Sequence, residues 1–372
     1  MAYTIKSQPT SPNATYTSLV YNVSSSNATN PQYNYIMDVY LSGSSDRLAR
    51  IRQFPNPVNE AVFDPSRIFN DNIDYQLNFY TSAQLSDDHV RTFSVEFGEE
   101  FGTSSSSSLA VTASIAQDFI EVFPGQIDPN NGTSFNWPDS GSVTILSDRP
   151  SNVRVFEQSE EVICVYNGSA SPQNVNFTYT GTPGGLQDGT SIVNVPAGEF
   201  YRVSFPHTAP AAGQAAVDFA GNDPFTSTFV ARCEYPVYNF NFINKYGMWD
   251  NFSINLPVRG NTSVNKENYN QSFVDYSNQG TYSVTRRGET NYNNNLTDNL
   301  TISTDWLSKE ESEWLSQMIE SDEVYVQVLP DAVTFYPIII TNASYVQNTG
   351  RKDQKTFMYD IAFRYANQRN GR

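Results

Sequence analysis

Tyr33-Asn34-Tyr35-Ile36-Met37-Asp38-Val39-Tyr40-Leu41 decides the fold class. Side chains alternate across a strand with a period of two, so Tyr33, Tyr35, Met37, Val39 and Leu41 fall on one face, and the segment reads as a half-buried β-strand. Ser42-Gly43-Ser44-Ser45-Asp46 follows as a turn, and Arg47 to Phe54 reads as the returning strand of a hairpin with a five-residue loop. Its alternation is weaker, because Leu48 and Phe54 share a face with Arg50 and Arg52. Pro55-Asn56-Pro57 stops that strand. Asp64-Pro65-Ser66 places an N-cap residue before Pro at the first helical position, which predicts one short helical turn.

Working outward, strand patterns recur at Thr17–Val23, Tyr75–Tyr80, Arg91–Phe97, Ser142–Leu146, Val153–Phe156, Glu161–Tyr166, Val175–Tyr179, Ser191–Val195 and Phe200–Phe205. Gly, Pro, Asn and Asp bound most of them, the pattern of sandwiches or barrels. Residues 1–30 read as a weakly patterned arm, and the Pro/Ala/Gly-rich stretch from His207 to Ala216 as a boundary or long loop. Val237–Ile243 alternates strongly, and Tyr269–Thr304 is a Tyr/Asn-rich β region. One convincing helix follows at about 308–321: Ser308 and Glu311 form a capping box, and Trp314, Leu315, Met318 and Ile319 make an apolar stripe. Three strands are expected after it, at Val324–Leu329, Phe335–Thr341 and Thr356–Phe363. The expectation is a mainly β chain of two or three sandwich-like or barrel-like domains: 1–120, an arm with a β domain; 121–235, a second sandwich-like domain; and 236–372, an α+β domain carrying the amphipathic helix.

Composition supports this. Among 372 residues only 38% are hydrophobic and 16% charged, yet 14% are aromatic, with 23 Tyr and 24 Phe. Disordered chains are poor in aromatics, so wholesale disorder is excluded. Lys and Arg number 22 against 39 Asp and Glu, a net charge of −17. Such a surface repels a phosphate backbone, so sequence-specific nucleic-acid binding is not expected, although an acidic pore wall would let DNA pass without sticking. The C-terminal end runs the other way, with Arg351, Lys352, Lys355, Arg364, Arg369 and Arg372 against Asp353 and Asp360. This basic end is either a solvated tail or a dock for a neighbouring subunit. No signal-peptide pattern opens the sequence and no apolar run is long enough to span a bilayer, so cytoplasmic synthesis without a membrane association is expected. About a dozen Asn-x-Ser/Thr sequons, such as Asn13-Ala14-Thr15, are what chance gives in so Asn-rich a chain.

The inventory for chemistry is thin. His89 and His207 sit alone on different segments and read as solvated loop residues. Cys164 and Cys233 read as ordinary buried thiols, and zinc-type spacing is absent. Gly181, Gly184, Gly185 and Gly189 read as a hairpin turn. The pairs Asp87-Asp88, Glu99-Glu100, Glu160-Glu161 and Glu310-Glu311 read as negative surface decoration, because neighbours on a strand point to opposite faces, whereas glycoside hydrolysis needs two facing carboxylates. Asp128-Pro129-Asn130-Asn131-Gly132 reads as a turn, since no Glu closes it as a calcium loop. No catalytic, cofactor-binding or metal-binding residue is assigned, and no cofactor is expected.

Several phrases carry a resemblance: Gln53-Phe54-Pro55-Asn56-Pro57; Val62-Phe63-Asp64-Pro65-Ser66-Arg67-Ile68; Val95-Glu96-Phe97-Gly98-Glu99-Glu100; Leu146-Ser147-Asp148-Arg149-Pro150; Asn244-Lys245-Tyr246-Gly247-Met248-Trp249-Asp250; and Asp305-Trp306-Leu307 leading into Ser321-Asp322-Glu323-Val324-Tyr325-Val326. In order and rough spacing the chain resembles a group of largely uncharacterised virion proteins from tailed phages that infect Bacteroidota-type bacteria. The resemblance implies a virion structural role, in the tail or neck, with other virion proteins and copies of itself as partners. The alternatives are a fibre or receptor module that stacks glycans on exposed aromatics and, behind it, a polysaccharide-degrading enzyme.

Overall fold

The computed structural model describes residues 3–74, 83–84, 89–102, 104, 108–126, 143–156, 159–180, 189–206, 213–219, 225–230, 234–272, 274–275, 281–282, 288–329, 334–341 and 356–367. The first third contains β1 (Tyr3–Ser7), β2 (Asn13–Ala14), β3 (Tyr21–Ser25), β4 (Asn34–Leu41), β5 (Arg47–Gln53), β6 (Glu60–Phe63), α1 (Ser66–Asn70), β7 (Ala83–Gln84), β8 (Arg91–Phe101) and β9 (Ala110–Phe123). A three-stranded sheet, β1-β3-β6, faces a five-stranded one, β2-β9-β8-β4-β5. Tyr21, Val23, Phe63, Tyr35, Met37, Val39, Phe93, Val95, Phe97, Ile120 and Val122 bury into one core with Phe69 of α1. The alternating face of β4 is the core face, as its pattern requires, and the hairpin turns at Gly43 with φ +79°.

The other face of β4 is also covered, which explains the weak alternation of β5. Asp38 is buried there, gripped by Arg50 through Nε (2.6 Å) and Nη2 (2.5 Å), with Arg47 at 3.7 Å. A fork-shaped guanidinium matches a carboxylate at two points, and the arginine stems cover apolar surface. Hence β5 carries arginines where an exposed strand face would carry neutral polar residues.

Several expectations are corrected in this region. Residues 3–30 are no free arm: β1 and β3 build one wall of the sandwich, and Leu19, Tyr21, Val23 and Ala28 lie in its core. Pro65 occupies the N-cap of α1, so the helix starts one residue later than the sequence suggests, while the Asp64 carboxylate accepts from Ser66 N and Leu19 N, both at 3.1 Å. The long β9 has no readable period because it changes phase at a bulge. Ser114 has φ +58°, and Gly98 opposite approaches so closely that a Cβ there would stand 2.5 Å from the Thr112 carbonyl oxygen.

The middle third contains β10 (Val143–Ile145), β11 (Asn152–Phe156), β12 (Glu160–Asn167), β13 (Gln173–Thr180), β14 (Gly189–Val195), β15 (Phe200–Pro206), β16 (Gly213–Phe219) and β17 (Phe225–Val230). They form two sheets, β10-β12-β15-β7 and β11-β17-β16-β13-β14. Val143, Ile163, Val165, Val175 and Val195 close a small core between them. Part of the stretch read as a loop, 213–216, belongs to β16, which pairs with β13 on one side and β17 on the other; backbone pairing, and not apolar periodicity, makes it a strand. β13 and β14 pair antiparallel up to Tyr179 and Gly189, as a hairpin requires, while Gly181, Gly184 and Gly185 lie outside the described residues.

The last third contains β18 (Val237–Ile243), β19 (Trp249–Ile254), β20 (Val258–Asn270), β21 (Val274–Asp275), β22 (Thr281–Tyr282), β23 (Glu289–Ser303), α2 (Lys309–Glu320), β24 (Val324–Leu329), β25 (Tyr336–Ile340) and β26 (Asp360–Tyr365). Apart from the small β21-β22 pair, the strands make one seven-stranded antiparallel sheet, β19-β18-β24-β25-β26-β23-β20. The expected capping box is present: Ser308 Oγ accepts from Glu311 N at 3.1 Å, and Glu311 Oε2 accepts from Ser308 N at 2.7 Å. Trp314, Leu315 and Met318 of α2 pack with Phe240, Phe242, Phe252, Val326 and Phe363 of the sheet. On its opposite face Trp249 joins Val162, Cys164, Phe200, Phe123 and Leu146, which fastens the sheet to the middle third. The chain is mainly β with sandwich-like layers, and no sheet closes into a barrel among the described residues. No described helix is long and apolar enough to cross a membrane.

Candidate functional site: a buried junction and an exposed ribbon

The turn from β18 into β19 is built by one side chain. Asn244 Oδ1 accepts from Tyr246 N (2.9 Å) and Met248 N (3.0 Å), an Asn-capped turn that leaves Gly247 at φ +72°. Gly247 also touches the first third so closely that a Cβ would lie 2.2 Å from the Pro124 carbonyl oxygen. The amide of Asn244 then reaches inward, donating to Leu146 O (2.8 Å) and to Asp250 Oδ2 (3.0 Å). Asp250 is 1% exposed, and the same oxygen accepts from Ser147 Oγ (2.8 Å) and Trp314 Nε1 (3.0 Å). Burial pushes its carboxyl from 3.8 up to about 6, against the pull of those donors and of the nearby Arg149 charge.

A second carboxylate works at the rim. Asp148 accepts from Tyr246 OH (2.8 Å) and from Gln317 Nε2 of α2 (2.9 Å), and forms an ion pair with Lys245. Gln126 N donates to Lys245 O at 2.6 Å, and Arg149 Nη2 donates to Ser227 Oγ of β17 at 2.6 Å. Residues 146–149, 244–250 and α2, distant in sequence, thus meet around one buried oxygen and tie the middle third to the last, while Gln126 N on Lys245 O and the close approach of Gly247 to Pro124 bring the first third alongside. Composition and periodicity give no sign of this meeting; the apolar stripe of α2 marked Trp314 as a core residue and not as a donor to Asp250.

The chemistry-bearing residues are dispersed. His89 is no solvated loop residue: it is 1% exposed, its Nε2 lies 2.7 Å from Gly247 O, and burial holds the imidazole down at about 4. A carbonyl only accepts, so the neutral ring carries its proton on Nε2. Cys164 is buried as expected, its thiol pushed up to about 12. Glu99 and Glu100 are not surface decoration either. Glu99 accepts from Ser25 Oγ, Asn27 Nδ2 and Tyr33 OH, and on the opposite face Glu100 accepts from Arg52 Nε at 3.1 Å. Asp87, Asp88, residues 128–132, His207 and Cys233 lie outside the described residues, as do the side chains of Glu160 and Glu161. Among the described residues no three His, Cys, Asp or Glu side chains group to hold a metal ion. A cavity of about 100 Å³ beside the junction is lined by Tyr16, Pro124, Gln126, Asn244, Lys245 and Asp322, and Asp250 does not reach it.

The most exposed regular structure lies at the far end of the seven-stranded sheet. β20 and β23 pair from Val258–Ile302 to Asn270–Glu289, whereas β26 covers β23 only from Asn299 to Ser303. Beyond that point no other described strand pairs with these two, and every residue of β20 after Val258 is exposed. At about 3.4 Å per residue, the strand is about 44 Å long. Cross-strand bonds hold it: Thr262 Oγ1 to Asp298 (2.7 Å), Asn268 Nδ2 to Glu289 (2.9 Å), and Tyr269 against Tyr292 with ring centres 6.2 Å apart. Of the basic C-terminal end, Arg364 lies on β26 beside Asn299 and Ile339, while Arg351, Lys352, Lys355, Arg369 and Arg372 lie outside the described residues.

No family model matches the chain, and no curated protein matches it. Among solved structures it is similar to a crystal structure of a protein of unknown function from Porphyromonas gingivalis W83, at 10% identity over 63% of this chain and 100% of that one. The TM-score of that likeness is 0.15, too low to bear on fold or function.

Proposed function

We propose that this chain is a non-enzymatic structural component of a tailed-phage particle, tail- or neck-associated, which assembles through β-rich contacts with copies of itself and with other virion proteins. The observation that carries this reading is the exposed β20–β23 ribbon at the edge of the seven-stranded sheet: a long open strand edge is a template for another chain. The net charge of −17 suits a surface past which DNA slides without adhering. Quantitative mass spectrometry of purified particles tests it, with a fixed copy number per particle as the expected result. Absence of the chain from particles, when it is abundant in the infected cell, would refute the reading.

A fibre or glycan-binding role is the second reading. It is favoured by the Tyr269–Tyr292 pair, 47% and 65% exposed, since an open aromatic pair offers a sugar a stacking platform. A glycan array on which Tyr292→Ala binds as the parent does, or the parent binds nothing, would remove it.

A further inference from the structure

The outer edge of β20 ends the seven-stranded sheet, and its sequence is complementary to itself. Side chains on this strand divide between two faces: Arg259, Asn261, Ser263, Asn265 and Glu267 on one, Gly260, Thr262, Val264 and Lys266 on the other. Two copies of one strand, paired antiparallel about a twofold axis through the sheet, keep their faces matched only when opposed residues have numbers of the same parity. β20 carries three charges, Arg259, Lys266 and Glu267. Lys266 meets only even-numbered residues, none of them acidic. Arg259 meets Glu267 of the partner subunit in one register alone, the one centred on Ser263, and symmetry then forms the pair twice.

We propose that β20 is a homodimer edge: two copies of the chain join β20 to β20, antiparallel and centred on Ser263, so that their two sheets become one. This inference deepens the assembly reading by naming the occupant of the open edge as a second copy. In this register no like charges oppose one another, Lys266 lies over Gly260 of the partner subunit, and Val264 lies beside Thr262 of the partner subunit. Val264 also comes diagonal to its own counterpart, which brings the two Val264–Leu296 pairs together across the axis. The outermost charged pair of this register ends at Glu267, and the bulge in the β20–β23 ladder falls just past it, between Glu267 and Asn268. A bulge twists a strand out of alignment, so Arg259 to Glu267 is the straight part of the edge. Edges that must stay single are short, bulged midway, interrupted by Pro or charged; Arg259 to Glu267 is long, straight and free of Pro, and two of its three charges are opposite ones that this register brings together.

The test uses the full chain with Cys233→Ser as background, purified and studied by light scattering after size exclusion over a range of micromolar concentrations. The parent is expected to be a dimer. Arg259→Glu sets like charges opposite each other at both pairs and is expected to weaken the dimer about a hundredfold. Glu267→Arg is expected to do the same, and the double swap Arg259→Glu/Glu267→Arg to restore it. Ser263→Cys sits on the axis and is expected to cross-link under mild oxidation. Asn261→Cys, two positions away and about 14 Å from its counterpart in this register, is expected not to. Circular dichroism confirms that each exposed variant is folded. A monomer at every concentration, a dimer indifferent to both reversals, or equal cross-linking of the two cysteine variants would overturn the proposal. Failure here leaves the particle reading standing, since mass spectrometry of particles reads composition and not this edge; absence from particles would leave the dimer standing.

Discussion

Asp250 offers the sharpest test of how the middle and last thirds are joined. In the folded chain its Oδ2 accepts from Ser147, Asn244 and Trp314, yet burial raises the carboxyl from 3.8 to about 6. That displacement corresponds to a penalty of about 3 kcal/mol on the ionised form. The sign follows from linkage. Between pH 3.8 and 6 the folded chain binds a proton that the unfolded chain has lost, so Asp250's contribution to stability is full below about 4, falls as pH rises to about 6 and is flat above. Asp250→Asn keeps an acceptor for the donors and removes the charge. Its stability relative to the parent is expected to improve by about 3 kcal/mol between pH 4 and pH 7. Asp250→Ala removes the acceptor too. Asn244 keeps Leu146 O, but the indole N–H of Trp314 is left without its acceptor, and a cost of about 3 kcal/mol against the Asn variant at pH 7 is expected. Urea unfolding followed by tryptophan fluorescence at pH 4, 5, 6 and 7 measures both differences, with the titration of every other group cancelling between variants. A parent-minus-Asn difference that does not move with pH, or an Asn variant as unstable as the Ala variant at pH 7, would refute the reasoning.

His89 has the opposite sign: buried neutral at about 4 against 6.5, it removes up to about 3 kcal/mol of stability as pH falls from 6.5 to 4, and His89→Gln should flatten that limb of the urea-midpoint profile. Gly247→Ala places a Cβ at φ +72° against the Pro124 carbonyl and should cost about 3 kcal/mol or more by thermal melting, whereas Gly43→Ala, at φ +79° with open space around it, should cost only about 1 kcal/mol. Ser308→Ala removes the acceptor at the start of α2 and is expected to lower stability by about 1 kcal/mol, read from the shift in urea midpoint at constant slope.

What could be read from the sequence was what repeats locally. β4 was legible because one of its faces is buried among aromatics, and α2 because its cap and apolar stripe lie within a dozen residues. β5 was only half legible, since its arginines answer to Asp38 on another strand. β9 was missed because its bulge opposite Gly98 breaks the period. Glu99 and His89 were misjudged for one reason: each is buried by segments distant in the chain, Glu99 by the turn at Ser25–Asn27 and His89 by Gly247. The junction itself lay beyond local pattern altogether. Ser147, Asn244 and Trp314 are ordinary residues until folding brings a polar atom of each within 3.0 Å of one Asp250 oxygen.

The seven-stranded sheet is gripped unequally along its width. At β19, β18 and β24 one face lies under α2 and the other against the middle third, while past Asn299 no described strand pairs with the ribbon beyond its own two. Mechanically this is a cantilever, clamped at its root and compliant at its tip. Whatever the tip holds can tilt while the clamped end keeps its shape, because two strands bend far more easily than a sheet fixed on both faces. Amide protection should accordingly fall in a gradient across this single sheet, from the root at Phe240 to the tip at Asn270.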